Sequence, residues 1–448
     1  MKRDHIIALM LFSIAFLYRL AIALPGIQNP ELLMRPDSFT YLAPAQSLLE
    51  HWIYGNDGIP TALRVPLYPS VLVPFLWMDG GSAGIFCIIA NILFSTMAVP
   101  AIWYACREVG LPEKYSAAGT SVYLLTPTPA AVAPMFLSDG IFGTVAALEL
   151  LLLIRYSKSK DIRWLYIAAL IGGLGVLTRP LNLLWIAPCL FSVWVLMPEK
   201  IGKKLLHCGI SFLIFCAVFM PWIIRNHAND FGWRIDAVSA DSLKHNAAVV
   251  ESRITGKPAQ IFRNAYEQHF QKVFSEKPEL FQTENSRLTY QEQYLSAIIK
   301  RYPLTYFRGF FHPVNYVPDV PSFLENLGLT QTGRGTWDVI INRGLFAGVD
   351  HYFSGNYWLS VMLAPLCLIL LVAYFLAIFA FFKLLCKKMW VLPLLFLPMG
   401  LYYMTVTGPV AYPRFSLPVL PYISLLAAAG LFFLFRKREA DDLSERND

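Results

Sequence analysis

The sequence predicts an all-α polytopic membrane protein, with about ten transmembrane helices, interfacial helices in the first outer loop and one long, mostly helical outer segment. Three observations lead there. Of 448 residues, 56% are apolar and 15% are charged, where a soluble domain carries about 25% charged residues. The apolar residues gather in runs near the roughly 20 residues that a helix needs to cross a bilayer core. Lys and Arg collect in alternate short connections between those runs, the pattern of cytoplasmic loops. The same composition excludes disorder, collagen and a small disulfide scaffold.

In chain order the runs are approximately 6–24, 82–105, 116–130, 137–154, 164–178, 180–197, 205–225, 357–382, 389–408 and 414–435. The third, fifth and sixth are short or broken by proline, so the pattern fits eight to eleven crossings. The first run continues past Arg19 and meets Ala23-Leu-Pro25, a poor cleavage site, so it reads as a helix rather than a removable signal. With the N-terminus inside, the inner segments hold 18 Lys and Arg, from Lys2 to Arg446, against 10 Asp and Glu, from Asp4 to Asp448. Both termini are therefore expected in the cytoplasm. The inner segments contribute +8 and the rest of the chain −1, which gives the net charge of +7. The basic balance is topology and gives no reason to expect nucleic acid as a partner.

Two connections on the opposite side are long. In the first, 25–81, Pro36 suits a helix start and Asp37 its first turn. The stretch from Arg64-Val-Pro-Leu-Tyr-Pro69 to Trp77 is too short to span and is expected at the interface, with Tyr68 and Trp77 at headgroup depth. The second, 226–356, balances 13 basic against 13 acidic residues and shows helical patterning broken at Gly256-Lys-Pro258, Lys277-Pro278 and Tyr302-Pro303. Its run 296–311 is amphipathic and aromatic, as a helix on a membrane surface would be. The chain thus divides into a transmembrane module at 1–225, an extracytoplasmic segment at 226–356 and C-terminal helices with a tail at 357–448. None of the seven cysteines lies in either long loop. The absence of Asn-x-Ser/Thr sites fits a bacterial inner membrane.

A charge at membrane depth is expensive and is a functional candidate by default. On the outer side stand Arg35, Asp37, Arg64, Asp139, Arg179, Arg225 and Arg414, with Arg19 and Glu149 inside spans. Arginine binds phosphate through a rigid, always-charged fork, and a carboxylate can take a proton from an acceptor hydroxyl or amine. Such a set suits chemistry on a phosphate-linked lipid. The alternative is that these residues pair, cap helices or snorkel to headgroups; Glu149 and Arg19 fit pairing or packing best. No metal-ligand spacing stands out, and a departing phosphate paired to Arg does not require a metal.

Four motifs go further: Asp37-Ser-Phe-Thr-Tyr41 with Arg64-Val-Pro-Leu-Tyr-Pro69; Leu137-Ser-Asp-Gly140; Gly175-Val-Leu-Thr-Arg-Pro180 with Pro221-Trp-Ile-Ile-Arg-Asn226; and Tyr412-Pro-Arg-Phe-Ser-Leu-Pro-Val-Leu-Pro421. In this order they resemble the type C glycosyltransferases. The branch they look like contains the dolichyl-phosphate-mannose–protein mannosyltransferases and the bacterial aminoarabinose transferases. The resemblance implies that a sugar passes from a polyprenyl-phosphate donor to a lipid, glycan or protein acceptor at the outer face. It implies Asp37 as catalytic base and Asp139 as the second acid near the sugar. Tyr41, Arg64, Tyr68, Arg179, Arg225 and Arg414 would bind substrate, the arginines on the donor phosphate. Two departures stand out: Ser38 follows Asp37 where many members have an Asp-Glu pair, and Asp139 stands where Glu is common. A polymerase or ligase of lipid-linked glycans would work at the same face. A transporter or flippase of such lipids would show internal repeats and broken midplane helices, and no such repeat is visible. A non-catalytic assembly protein would use the long segment to bind a partner.

Overall fold

The computed structural model describes residues 2–445 apart from 198, 311, 330–334, 354, 356, 390 and 407. Arg446 and Asp448, counted above among the inner charges, lie outside the described residues. Among the described residues, each of the ten apolar runs falls largely on helix. The first is α1 (Lys2–Gln28), whose 27 residues reach about 40 Å at 1.5 Å per residue. The first loop follows, with α2 (Phe39–His51), a two-stranded antiparallel hairpin pairing Gly55 with Pro60, and α3 (Leu67–Met78). Then come α4 (Ile85–Thr96), α5 (Ala98–Glu108), α6 (Glu113–Leu125), α7 (Pro127–Val132), α8 (Asp139–Ser159), α9 (Ile162–Thr178), α10 (Ile186–Leu196) and α11 (Ile201–Ala228). Among the described residues, five helical stretches are long and apolar enough to cross a membrane: α1, α4 with α5, α8, α11 and Trp358–Cys386. The stretches at Leu67–Met78, Ile162–Thr178, Pro180–Leu196 and Leu420–Phe435 are apolar but shorter.

The long segment carries α12 (Val238–Thr255), α13 (Ala259–Glu276), α14 (Glu284–Arg301), α15 (Pro303–Phe307), α16 (Val320–Asn326), α17 (Thr336–Arg343) and α18 (Leu345–Tyr352). Helices α12, α13 and α14 close on a small core that includes Tyr266, Phe270 and Leu295. The chain ends with α19 (Tyr357–Cys386), α20 (Val391–Thr405) and α21 (Leu420–Glu445). Helix α21 is wedged between α6 and α19. The approach is close because its neighbours meet bare backbone: a Cβ on Gly430 would lie 2.4 Å from the carbonyl oxygen of Leu376, and one on Gly119 2.6 Å from that of Ser424. Small residues let membrane helices pack at such distances.

Two local expectations are corrected. Helix α2 begins at Phe39, so Asp37 precedes it. The backbone N–H of Arg35 donates to the Ser38 hydroxyl at 2.9 Å and that of Ser38 to the Arg35 carbonyl at 2.8 Å. This closes a turn that holds Asp37 outside the helix. Tyr68 is fully buried rather than presented to the membrane surface; its hydroxyl donates to Asn91 on α4 at 3.2 Å. Trp77, 72% exposed, keeps the surface position expected of it.

Candidate active site

Three of the site's charged residues stand where proline or a helix start interrupts a span. Asp139 is the first residue of α8, where the helix dipole favours a carboxylate. Pro180 disfavours helical geometry at Arg179, which ends α9 in an extended conformation (φ −150°, ψ 123°). Pro413 likewise follows extended Tyr412 and opens the short 3₁₀ turn Pro413–Ser416 that carries Arg414. These breaks free the side chains to turn towards one another.

The Asp37 carboxylate is shared by two arginines. Arg414 donates through Nη2 to Oδ2 at 2.7 Å, and Arg64 Nη2 lies 3.6 Å from Oδ1. Arg64 is itself held twice: Nε donates to the Thr40 hydroxyl at 2.8 Å, and its guanidinium lies 4.6 Å from the centre of the Tyr41 ring. The Tyr41 hydroxyl shares a 3.0 Å hydrogen bond with Ser138, the residue before Asp139. Tyr68 packs edge-on against Tyr41 at 5.2 Å. Next to this group Arg179 forms an ion pair and hydrogen bond with Asp139. The carboxylate of Asp139 is buried, whereas the Asp37 side chain is 42% exposed. Asp139, Arg179, Arg414, Phe415 and Tyr403 line one cavity.

The structure thus gathers Asp37, Tyr41, Arg64, Tyr68, Asp139, Arg179 and Arg414. Arg225 stands apart. Its two terminal nitrogens donate to the backbone carbonyls of Thr61 (2.7 Å) and Tyr54 (2.5 Å), and its guanidinium lies 4.8 Å from the Trp222 ring centre. It ties α11 to the first loop. The two charges inside spans are likewise engaged. Glu149 accepts from Asn182 at 2.7 Å and Tyr403 at 3.1 Å, and Arg19 donates to Ser95 and Thr96.

Thr40, Ser138 and Asp319, outside the sequence-derived set, complete the site together with Arg35, which that set marked by its charge alone. Thr40 and Ser138 lie inside the quoted motifs but carry no charge to mark them. Asp319, at the start of α16, accepts from the backbone N–H of Ser322 at 3.2 Å. Burial raises its carboxyl above the usual range, while Ser322, Arg414 and Arg35 favour the ionised form. Arg35 anchors the turn before Asp37 to α16, donating to Asn326 at 2.8 Å and pairing with Glu325 at 3.2 Å. Among the described residues no group of three or more His, Cys, Asp or Glu is placed to hold a metal ion.

Residues 75–224, 150 of the chain's 448, match the family model for dolichyl-phosphate-mannose-protein mannosyltransferase. No curated protein matches the sequence. Among solved structures, the apo oligosaccharyltransferase of Archaeoglobus fulgidus is similar with a TM-score of 0.52 at 13% identity, covering 98% of this chain and 52% of that one. The archaeal oligosaccharyltransferase AglB of the same organism, in complex with an inhibitory peptide and a dolichol-phosphate, gives 0.50 at 11% identity, with coverages of 98% and 52%. ArnT from Cupriavidus metallidurans, bound to undecaprenyl phosphate, gives 0.49 at 11% identity, with coverages of 94% and 59%. The chain therefore spans between about half and three fifths of the length of these proteins. At such identities the likeness is one of fold. This is a polytopic membrane protein that shares its fold with the archaeal oligosaccharyltransferase and matches the mannosyltransferase family model over residues 75–224.

Proposed function

We propose that the protein is a glycosyltransferase that moves a sugar from a polyprenyl-phosphate donor to a lipid, glycan or protein acceptor. The observation that carries this reading is the Asp37 carboxylate held between Arg64 and Arg414 beside the Asp139–Arg179 pair, in this fold. Two carboxylates and three guanidinium groups, the kinds of charge that the reaction needs, thus converge. A phosphate docking between Arg179 and Arg414 would draw guanidinium N–H groups away from the two carboxylates, because a phosphate offers more acceptor oxygens and more charge. Asp37, released, would take the proton of the incoming acceptor as its oxygen or nitrogen bonds to the sugar carbon. The bond from that carbon to the phosphate oxygen breaks, and the arginines hold the charge left on the phosphate. The buried Asp139 would sit on the sugar side. The site takes Arg414 from the last helices, so the catalytic unit in this reading joins 1–225 with 357–448, and 226–356 covers it.

We further propose a bacterial inner membrane, both termini in the cytoplasm and the site facing outward, on the alternation of Lys and Arg. The reaction is tested with purified protein, a radiolabelled undecaprenyl-phosphate sugar and an envelope lipid and protein extract as acceptor. Asp37→Asn should lower transfer by about 10²–10⁴-fold, the usual contribution of a general base, with the protein still inserted and monodisperse. Turnover retained at the wild-type rate would remove Asp37 from this role.

A further inference from the structure

The long segment does more than cover the site. Its 3₁₀ turn Pro313–Tyr316 packs against the turn that carries Arg414, and there Asn315 is 3% exposed. The Asn315 Oδ1 accepts the backbone N–H of Tyr412 at 3.0 Å. That bond fixes the amide's orientation, since only the oxygen can accept. The amide nitrogen Nδ2 is consequently turned the other way, where it is buried with no partner, and so is the neighbouring Tyr316 hydroxyl. A buried polar group without a partner is costly, so two side by side need an explanation. Asn315 and Tyr316 line a second cavity, walled by the apolar side chains of Val419, Leu420 and Ile423. Its interior is about 10 Å³, room for one water-sized group. It shares Tyr403 and Phe415 with the cavity of Asp139, Arg179 and Arg414.

Resting on the function proposed above, we propose that this cavity is a subsite for one oxygen-bearing substituent of the donor sugar, read by Asn315 Nδ2 and the Tyr316 hydroxyl. Its size admits a single hydroxyl-sized group and not a sugar ring. Its chemistry selects an oxygen: Nδ2 can only donate, so a hydroxyl or carbonyl oxygen satisfies it and an ammonium, which has no lone pair, does not. The neighbouring arginines put the donor phosphate within a shared wall of this pocket. The subsite would make the long segment a reader of the sugar, through the same Asn315 that braces the Arg414 turn.

The test measures binding of undecaprenyl phosphate, alone or carrying glucose, mannose, galactose, arabinose or 4-amino-arabinose, to the full-length protein in nanodiscs. Wild type should bind at least one neutral sugar lipid more tightly than bare undecaprenyl phosphate. Tyr316→Phe removes one hydroxyl; Asn315→Asp removes the donor while keeping the oxygen that accepts from Tyr412. Each should reduce that gain by roughly three- to tenfold, the worth of one hydrogen bond, and neither should weaken the bare undecaprenyl phosphate by as large a factor as the sugar lipid. The subsite is overturned if both variants keep the wild-type gain, which would mean a buried water only. It is overturned equally if they weaken the bare lipid as much as the sugar lipid, which would mean a bracing role alone. It also falls if no sugar adds to the affinity of the bare lipid. If wild type binds none of these lipids, the glycosyltransferase reading fails with it.

Discussion

Charged side chains of one type do different work in this protein, and their partners tell them apart. Arg414 pairs with a carboxylate that is 42% exposed, a partner that a phosphate can displace. Arg225 is spent on two backbone carbonyls, which nothing displaces. Arg414→Ala should therefore raise the KM for the lipid donor with thermal stability little changed. Arg225→Ala should leave the carbonyls of Tyr54 and Thr61 short of donors and lower stability by about 1–3 kcal/mol, read as a drop in Tm in detergent. Equal effects of the two substitutions on donor KM would contradict this division. Asp236 is a third case. Burial pushes its carboxyl up to about 6, with Ser239, Arg64 and Arg234 favouring the charged form and Glu292 opposing it. Its folded-state pKa lies above the unfolded value, so the folded chain binds more protons between about pH 4 and 6. Stability is therefore lost as the pH rises through that window and levels off above it. Asp236→Asn keeps the oxygen that accepts from Ser239 at 3.3 Å and removes the titration. The variant should gain on wild type from pH 4 to 6, by up to about 3 kcal/mol, in Tm measured across that range. A constant difference at all pH values would show that burial of this carboxyl is not what titrates.

At the scale of helices, membrane packing is fixed by a few polar knots among many apolar contacts. Glu149 on α8, Asn182 after α9 and Tyr403 on α20 form one such knot: Asn182 Nδ2 donates to Glu149, and the Tyr403 hydroxyl reaches both Glu149 and Asn182 Oδ1 (2.6 Å). A glutamine at 149 satisfies every atom, because its amide nitrogen can donate to the Tyr403 oxygen while that hydroxyl donates to Asn182. Glu149→Gln should accordingly leave Tm within a few degrees of wild type. Glu149→Leu should lower it clearly, since the polar atoms of Tyr403 and Asn182 lose a partner where no water replaces it, at about 1–3 kcal/mol. A leucine variant as stable as the glutamine would show that the knot holds nothing together. The knot also marks the limit of what the sequence discloses. Helix positions were legible because length and hydropathy are local. So were the helix ends at Asp139, Arg179 and Arg414, because Pro180, Pro413 and a helix start are local too. Partners were not. The burial of Tyr68 depends on Asn91 in another helix, and the role of Asn315 on a backbone N–H 97 residues away. Nothing in the segments themselves encodes which helices face each other, so Tyr68 reads as interfacial and Arg225 as one more phosphate ligand until the packing is seen.

For the whole molecule, the site's position in the fold and its side of the membrane are separate matters, and only the distribution of charge bears on the second. The Lys and Arg excess gathers at the C-terminal ends of α5, α8 and α19 and around the start of α11, including Arg107, Lys158, Lys203 and Lys387. The loop with Asp37 and the long segment fall in the alternate set. Short basic loops stay inside, whereas long segments cross largely regardless of charge. The balanced 226–356 segment is therefore compatible with export. Two exposed lysines test this directly. Lys203 stands in the first turn of α11, and Lys257 in the link between α12 and α13. With the free cysteines replaced, Lys257→Cys should react with a membrane-impermeant maleimide in intact cells, or in spheroplasts if an outer membrane bars the reagent. Lys203→Cys should react only after the membrane is opened. The native Cys386, the one exposed cysteine of the seven, should behave as Lys203→Cys does. Labelling in the reverse order would put Asp37, Arg64 and Arg414 on the cytoplasmic side. That order would overturn the outward-facing site that the alternation of Lys and Arg supports.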